Sequence, residues 1–586
     1  MQHPVHPLGS KARILLSSVF GPYAQDDAYG SRTINPMELY QNQVTRVQGG
    51  FSLRMFHRSF GLMMIQTNID APCTLLDFPS LDRFADELRK HPYDIVGISG
   101  ILPNIGKVKV MCDLVRRHLP RATIVVGGHI ANMKDLAQRI DADHIVRGEG
   151  IRWFRKFLGQ DEKAPIRHLT TYSAHGTRIL GVPLHREHKH GNTAAILIPS
   201  VGCPIGCNFC ATSALFGGKG NFVNFHETGD ELYAVMVDIE KKLKVSSFFV
   251  LDENFLLHRK RALRLLELME ANRKSWSLYV FSSARVLSSY TLEQIAGLGI
   301  SYVWMGLEGE ASAYRKTNGI DTRQLIRTLQ SHGIRVLGSS IIGLENHTPE
   351  SVDRVINFAV SHASVFHQFM LYTPLPGTPL FETHRKDGSL LPETAFPLAD
   401  THGQYRFNFR HPHISQGREE QFLLDAFQRD FEVNGPSLAR LVGTLLNGWQ
   451  RYKKAPQARI RKRWAREARP LRSVYAGAVW AMKRHYRKTP PMAEKMASLL
   501  RQIYREFGWL PRISAPLIGR YLYTALQREE KRLAAGWTYE PKTFYEKNPA
   551  AIAASGHKAA AAPLARPALS IHPTETWGSP AKEPVR

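Results

Sequence analysis

Val201-Gly-Cys-Pro-Ile-Gly-Cys-Asn-Phe-Cys210 sets three cysteines, Cys203, Cys207 and Cys210, directly after the apolar run Ala194-Ala-Ile-Leu-Ile-Pro199. Pro204 and Gly206 exclude a helix here and let the backbone curl, so that all three thiolates can face one centre. The chain has five cysteines in 586 residues. The other two, Cys73 and Cys112, lie far upstream, so a closed tetrahedral zinc site lacks a nearby fourth thiolate. A cubane iron–sulfur cluster can use three thiolates and keep one iron open to the amine and carboxylate of a small molecule. A zinc knuckle completed by a histidine such as His226, or a disulfide with a spare thiol, are the alternatives. Clustered cysteines without a secretory start favour a metal.

Beyond Cys210 the pattern alternates strand, turn and amphipathic helix. Ser246-Ser-Phe-Phe-Val-Leu251, Leu278–Ser283, Tyr302–Glu308, Val336–Gly343 and Phe366–Tyr372 read as strands, with helical stretches such as 259–272 between them. This predicts a parallel sheet closing into a barrel or part of one, with its chemistry at the carboxyl ends of the strands.

With an aromatic residue, Phe209, before its last cysteine, the CxxxCxxC spacing resembles the signature of the radical S-adenosylmethionine (SAM) enzymes. The resemblance implies a [4Fe-4S] cluster on Cys203, Cys207 and Cys210, and SAM on its open iron. Asp252, Glu253 and Asn254 stand where the family has its GGE motif, which contacts the SAM amino group; here both glycines are absent. Gly306-Leu-Glu308 resembles the segment near the ribose and methionine. Gly338–Glu345, with Gly343, resembles the segment beside the adenine, and Thr373-Pro-Leu-Pro-Gly-Thr-Pro379 the turn after the sixth strand.

The first 160 residues carry a separate pattern. Arg13–Ser18, Tyr93–Ser99, Thr123–Gly128 and His144–Gly148 are short apolar strands alternating with helices such as Leu81–Lys90 and Lys107–His118. That is a doubly wound α/β domain, whose ligands lie over the carboxyl ends of the strands. Glycines cluster at those ends, where bare backbone admits a bulky flat ligand. No GxGxxG opens a helix after the first strand, and Gly217-Gly-Lys-Gly220 lacks Walker spacing. The domain resembles the cobalamin-binding domain that precedes many radical SAM barrels, with Ser99, Gly127 and Gly128 at positions that hold the nucleotide tail. The loop 19–24 lacks the DxHxxG motif, so the resemblance implies a cobalt without a histidine from that loop.

Length and a 43% hydrophobic content allow about three domains. The expected division is a cobalamin-binding domain over 1–160, a linker over 161–190, a partial (β/α) radical SAM barrel over 191–400, a basic helical domain over 401–548 and a disordered Ala/Pro-rich tail over 549–586. The polar start resembles no signal peptide, and no run reaches the ~20 apolar residues of a membrane span. A cytoplasmic protein, peripheral to the inner face of the membrane, is the expectation. Lys and Arg number 77 against 51 Asp and Glu, a net charge of +26. Much of the excess lies in runs such as Arg459-Ile-Arg-Lys-Arg-Trp-Ala-Arg466 and Lys483-Arg-His-Tyr-Arg-Lys488. With Trp449, Tyr452, Trp464, Tyr475, Trp480 and Tyr486 interleaved, these runs read as a surface for anionic membrane. RNA is the rival, without a recognisable RNA-binding motif.

These readings converge on an enzyme with three cofactors: a [4Fe-4S] cluster, SAM and cobalamin. The resemblance implies that one SAM methylates cob(I)alamin, a second yields a 5′-deoxyadenosyl radical, and a methyl group reaches an unactivated carbon of a lipid or other hydrophobic small molecule. An external flavodoxin or ferredoxin would supply electrons. The alternatives are a ring-forming or oxidative radical SAM enzyme without methyl transfer, and an iron–sulfur or zinc protein that binds nucleic acid.

Overall fold

The computed structural model describes residues 5–21, 44–174, 176–179, 182–183, 194–308, 319–535 and 543–554. Near the amino terminus, β1 (Ile14–Ser18), β2 (Cys73–Asp77), β3 (Ile95–Ser99), β4 (Thr123–Gly127) and β5 (His144–Ile145) form a parallel sheet in the order β2-β1-β3-β4-β5. The interior strands are short runs buried on both faces, as a sheet covered by helices on two sides requires. Helix α1 (Leu81–Lys90) is capped by the Ser80 hydroxyl, which accepts from Arg83 N at 3.1 Å. Helix α2 spans Ile105–His118. Strand β2 has no counterpart in the sequence reading: its Thr-Leu-Leu core is short and poor in β-branched residues, which leaves helix and strand undecided.

The second sheet is β6 (Ala195–Leu197), β7 (Ser247–Val250), β8 (Ser277–Ser283), β9 (Ile300–Glu308), β10 (Arg335–Ile342) and β11 (Phe366–Leu371). All six run parallel in sequence order, the arrangement of a part-closed (β/α) barrel. Outward residues such as Phe248, Val280, Val303 and Met305 are buried under the flanking helices. Inward ones alternate with them and stay half-buried, among them Phe249, Tyr279, Phe281, Tyr302, Trp304 and Met370.

Helices then fill residues 419–534, including α4 (Ala458–Glu467), α5 (Val474–His485) and α6 (Trp509–Ala534); the label α3 is kept for Ala211–Leu215, after Cys210. Here the structure turns the aromatic residues of the basic runs inward, while Arg461, Lys462, Lys483, Arg484, Arg487 and Lys488 stay exposed. Trp464 is fully buried, stacked on Tyr452 with ring centroids 5.6 Å apart, and Tyr475 is partly buried against the same core. Trp449 donates to Glu506 at 2.8 Å, and Tyr452 bonds His332 Nδ1 at 2.6 Å. The cations of α4 reach the amino ends of the barrel strands: Arg459 donates to Gly297 O, Arg463 to Ala296 O and Arg466 to Ser275 O. At their centre Glu467 meets Arg335 at 2.8 Å and the Ser277 hydroxyl at 2.6 Å. Burial pushes the Glu467 carboxyl up, but Arg335 and Arg463 outweigh it and hold the group below its ordinary value. A Cβ on Gly333 or Gly448 would stand 2.2 or 2.0 Å from the Trp464 ring, so both glycines are dictated by its packing.

The carboxyl-terminal segment differs from the expected tail. β12 (Phe544–Lys547) pairs antiparallel with β2 at the edge of the first sheet, and residues Pro549–Ala554 form a short helix with Ala551 buried. Asn548 locks the return, its Oδ1 accepting from Cys73 N at 3.0 Å and its Nδ2 donating to Ala71 O at 2.9 Å. A sheet edge that would otherwise offer unpaired backbone is thereby covered. The rest of the expected tail, from residue 555, lies outside the described residues.

Candidate active site

Cys210 occupies the amino-terminal cap of α3 (Ala211–Leu215), where its sulfur accepts from Ser213 N at 3.5 Å. The Ser213 hydroxyl donates to Cys203 O at 3.3 Å, and Cys210 N to Cys207 O at 3.1 Å, so one short turn ties the three positions together. The loop is possible only with its glycines: Gly206 has φ +71°, and a Cβ there would stand 2.5 Å from Lys219 Cα. The Cys203 thiol is pushed up to about 11, first by burial, with Cys210, Glu253 and Cys207 adding negative charge around it. Such a group wants a cation. Among the described residues no group of three His, Cys, Asp or Glu side chains is placed to hold a metal ion, and His226 joins the cysteines in none. That histidine packs beside His168, ring centroids 5.7 Å apart. A cubane takes each of three thiolates on a separate iron. Cys73 and Cys112 are fully buried elsewhere; burial pushes both thiols up, Cys112 to about 12.

Three candidate SAM residues follow β7, and the structure separates their roles. Asp252 is consumed by the protein, its Oδ2 accepting from Ser200 Oγ at 2.5 Å and pairing with Arg261 at 2.6 Å. Asn254 is engaged too, with Ser282 at 3.2 Å and Ser283 at 3.5 Å. Glu253 differs. Its Oε2 is buried without a partner, and burial, then Asp252, pushes its carboxyl up to about 8. A carboxyl with one oxygen unpartnered, interacting electrostatically with Cys203, fits an ammonium group brought to the cluster's open side. Glu308 ends β9 in a left-handed conformation, φ +62°, where the register with β10 shifts. Such strain in a non-glycine residue concentrates at functional strand ends. Gly343 does not leave its space to a ligand: a Cβ would stand 2.2 Å from Phe407, and its N–H donates to His347 Nδ1 at 3.1 Å.

The carboxyl end of the first sheet meets this loop. His129 Nε2 lies 3.1 Å from Thr212 Oγ1, Asn132 donates to Ala211 O at 3.0 Å and Arg147 to Ala214 O at 3.3 Å. All three partners belong to α3, the helix that Cys210 caps. Gly127 is open, a Cβ meeting only Val146 O at 3.7 Å, whereas one on Gly128 would stand 2.6 Å from Gly100 O and 2.9 Å from Ser99 Oγ. Gly128 and Ser99 thus shape the turn itself, and Gly127 is the bare surface beside it. Asn104 has neither amide atom partnered among the described residues, and Asn132 Oδ1 is likewise orphaned and buried. Two buried amides with spare capacity fit a large ligand rich in polar side groups. The sequence reading missed His129, Asn104 and Asn132. Their signal was position alone, just beyond β3 and β4. Of the loop 19–24, expected to lack a cobalt-binding histidine, residues 22–24 lie outside the described residues.

Comparison with known proteins decides between the readings. A model of the B12 binding domain matches residues 52–158, and one of the radical SAM superfamily matches 197–359. The chain is a B12-binding radical SAM enzyme. Its cofactors are the [4Fe-4S] cluster, SAM and cobalamin. An uncharacterised methyltransferase of Pyrococcus horikoshii is 26% identical over 334 residues, 50% of this chain and 70% of that protein. Bacteriochlorophyllide d C-8(2)-methyltransferase of Chlorobaculum tepidum is 24% identical, covering 57% of this chain and 77% of the relative. Hopanoid C-2 methylase of Rhodopseudomonas palustris is 28% identical over 203 residues, covering 33% and 38%. Among solved structures, the radical SAM methyltransferase TsrM of Kitasatospora setae, with cobalamin and [4Fe-4S] cluster bound, aligns at 15% identity and a TM-score of 0.47, covering 78% of this chain and 98% of that one.

Proposed function

We propose that this enzyme transfers a methyl group to an unactivated carbon of an uncharged, hydrophobic small molecule, a lipid or a polycyclic compound. The observation that carries the reading is the contact of the first sheet's carboxyl-end loops with α3, the helix capped by Cys210. It brings the residues assigned to cobalamin and those assigned to the cluster to one place, so a substrate carbon held between them can meet both. The cofactors together supply a carbon-centred radical and a methyl group. The chain supplies position and exclusion of water. Cys203, Cys207 and Cys210 would hold the cluster; Glu253 would take the SAM ammonium; Gly127 would give cobalamin's nucleotide tail bare backbone to lie on, and Asn104 and Asn132 would offer the cofactor amides.

The barrel wall speaks for the substrate. Across β7, β8 and β9, Phe249, Phe281 and Trp304 form a ladder of rings with centroids 5.9 and 5.0 Å apart. Of the half-buried inward residues on the described strands, only Arg335 is charged, and it is paired with Glu467 at the lower end. Such a wall offers dispersion and ring contacts, and nothing that would hold a phosphate or carboxylate. The name of the hopanoid relative points to the same class of substrate. We assign the enzyme to the cytoplasm, fed by a small flavodoxin or ferredoxin whose acidic surface suits a chain of net charge +26. Anaerobic incubation with SAM, cobalamin, reductant and extracted cell lipids tests the proposal: 5′-deoxyadenosine and a lipid heavier by one methylene are expected. 5′-Deoxyadenosine with a product lighter by two hydrogens would replace methyl transfer with ring closure or oxidation.

A further inference from the structure

Eleven large apolar side chains stand exposed among the described residues, and five lie on one helix: Trp509 (71% exposed), Leu510 (41%), Ile513 (57%), Leu517 (62%) and Tyr521 (68%), all on α6. At about 100° per residue, these positions fall within roughly a third of the helix circumference. The opposite face is fixed. Pro511, Ala515, Gly519, Leu522 and Leu526 are buried, and a Cβ on Gly519 would stand 2.5 Å from the Trp480 ring and 2.9 Å from Gly477 O on α5. A helix seated that closely cannot rotate to hide its stripe.

The charge around the stripe has one sign. Arg505, Arg512, Arg520 and Arg528 are exposed along this stretch. Its sole acid, Glu506, is committed to Lys453 at 2.5 Å and Trp449 at 2.8 Å. A second copy of the chain would bring arginines against arginines, so self-association through this face is opposed. A contiguous apolar stripe with Trp and Tyr in it and cations beside it matches a helix lying in a membrane interface. Among the described residues no helix is long and apolar enough to cross a bilayer, so the helix would lie on the surface.

We propose that α6 docks this protein on an anionic membrane, with Trp509, Ile513 and Leu517 seated at the boundary of headgroups and acyl chains and Arg512 and Arg520 on lipid phosphates. The surface is distinct from the runs between Arg451 and Lys488, whose aromatic residues serve the interior. The inference stands apart from the proposed reaction, since docking is read without turnover. Flotation of the full chain with vesicles of phosphatidylglycerol and phosphatidylcholine, against phosphatidylcholine alone, tests it. Recovery with the anionic vesicles should be the higher and should fall as salt is raised. Trp509→Ser/Ile513→Ser/Leu517→Ser should lower partitioning by about tenfold or more with an unchanged melting temperature, because the replaced side chains are exposed. Arg512→Glu/Arg520→Glu should remove the preference for anionic lipid. Equal recovery of wild type with both vesicles, or unaltered flotation of the triple variant, overturns the proposal. A triple variant that turns a dimer into a monomer and floats as before would assign the stripe to a second copy.

Discussion

The two ends of the barrel bury carboxylates in opposite ways. At the amino ends of the strands, Glu467 is enclosed by Arg335, Arg463 and Ser277 and kept charged. At the carboxyl ends, Glu253 is enclosed with one oxygen unpartnered and is pushed towards its neutral form. A buried charge that the protein itself satisfies holds structure together, whereas one it leaves unsatisfied awaits a ligand. The lower end is therefore for stability and the upper end for binding.

The strongest test of that division is removal of the thiolates. Cys203→Ala, Cys207→Ala or Cys210→Ala should each abolish iron loading and SAM cleavage, while Cys73→Ala and Cys112→Ala should leave the iron absorbance intact. Gly127→Val should lose corrinoid on gel filtration and keep its iron, with Gly127→Ala milder. Gly128→Val is the poorer probe, because its side chain would strike Gly100 and Ser99 before any ligand. If Gly127→Val retains stoichiometric cobalamin, the tail lies elsewhere.

The paired glutamates give the direct comparison. Glu467→Ala should cost about 3–5 kcal/mol in stability, since it strands two buried arginines, and should show as a lowered melting temperature. Glu253→Gln should leave the melting temperature unchanged or raised, and weaken SAM binding about 10–100-fold, or about 1.4–2.7 kcal/mol. A destabilised Glu253→Gln with normal SAM affinity would erase the distinction.

The smallest expected effect is with pH. Burial holds His57, His168, His347 and His402 down to about 4 and His367 to about 3, below the ordinary value of 6.5. Below pH 6.5 the unfolded chain takes up protons that the native histidines refuse. Stability is thus present above pH 6.5 and lost progressively as pH falls towards 4. Thermal melts at pH 6, 5 and 4.5 should show that decline, while between pH 7 and 8 the raised Glu253 carboxyl acts in the opposite sense and lowers stability as it ionises in the native state.

Much of the upper end was legible in the sequence, because turns that bind need unusual residues. The CxxxCxxC loop, the Gly127-Gly128 turn and the strand ends announce themselves through glycine and cysteine, and helix Leu81–Lys90 was read with the bounds the structure gives it. The lower end was not. Arg459 to Arg466 looks like a solvated charge run, and only the lone Glu467 closing it hinted at a buried network. The return of β12 to the first sheet was invisible for another reason. Phe544-Tyr-Glu-Lys547 pairs with β2 across more than 460 residues of chain, and no local pattern encodes such a partner.

The central claim, that cluster and cobalamin sites meet in one molecule, is tested most directly by metal and corrinoid analysis of the anaerobically reconstituted protein. About four irons and one cobalamin per chain are predicted, with 5′-deoxyadenosine formed when SAM and reductant are added. Stoichiometric zinc in place of iron, or a protein that carries iron and takes up no corrinoid from excess hydroxocobalamin, would contradict it.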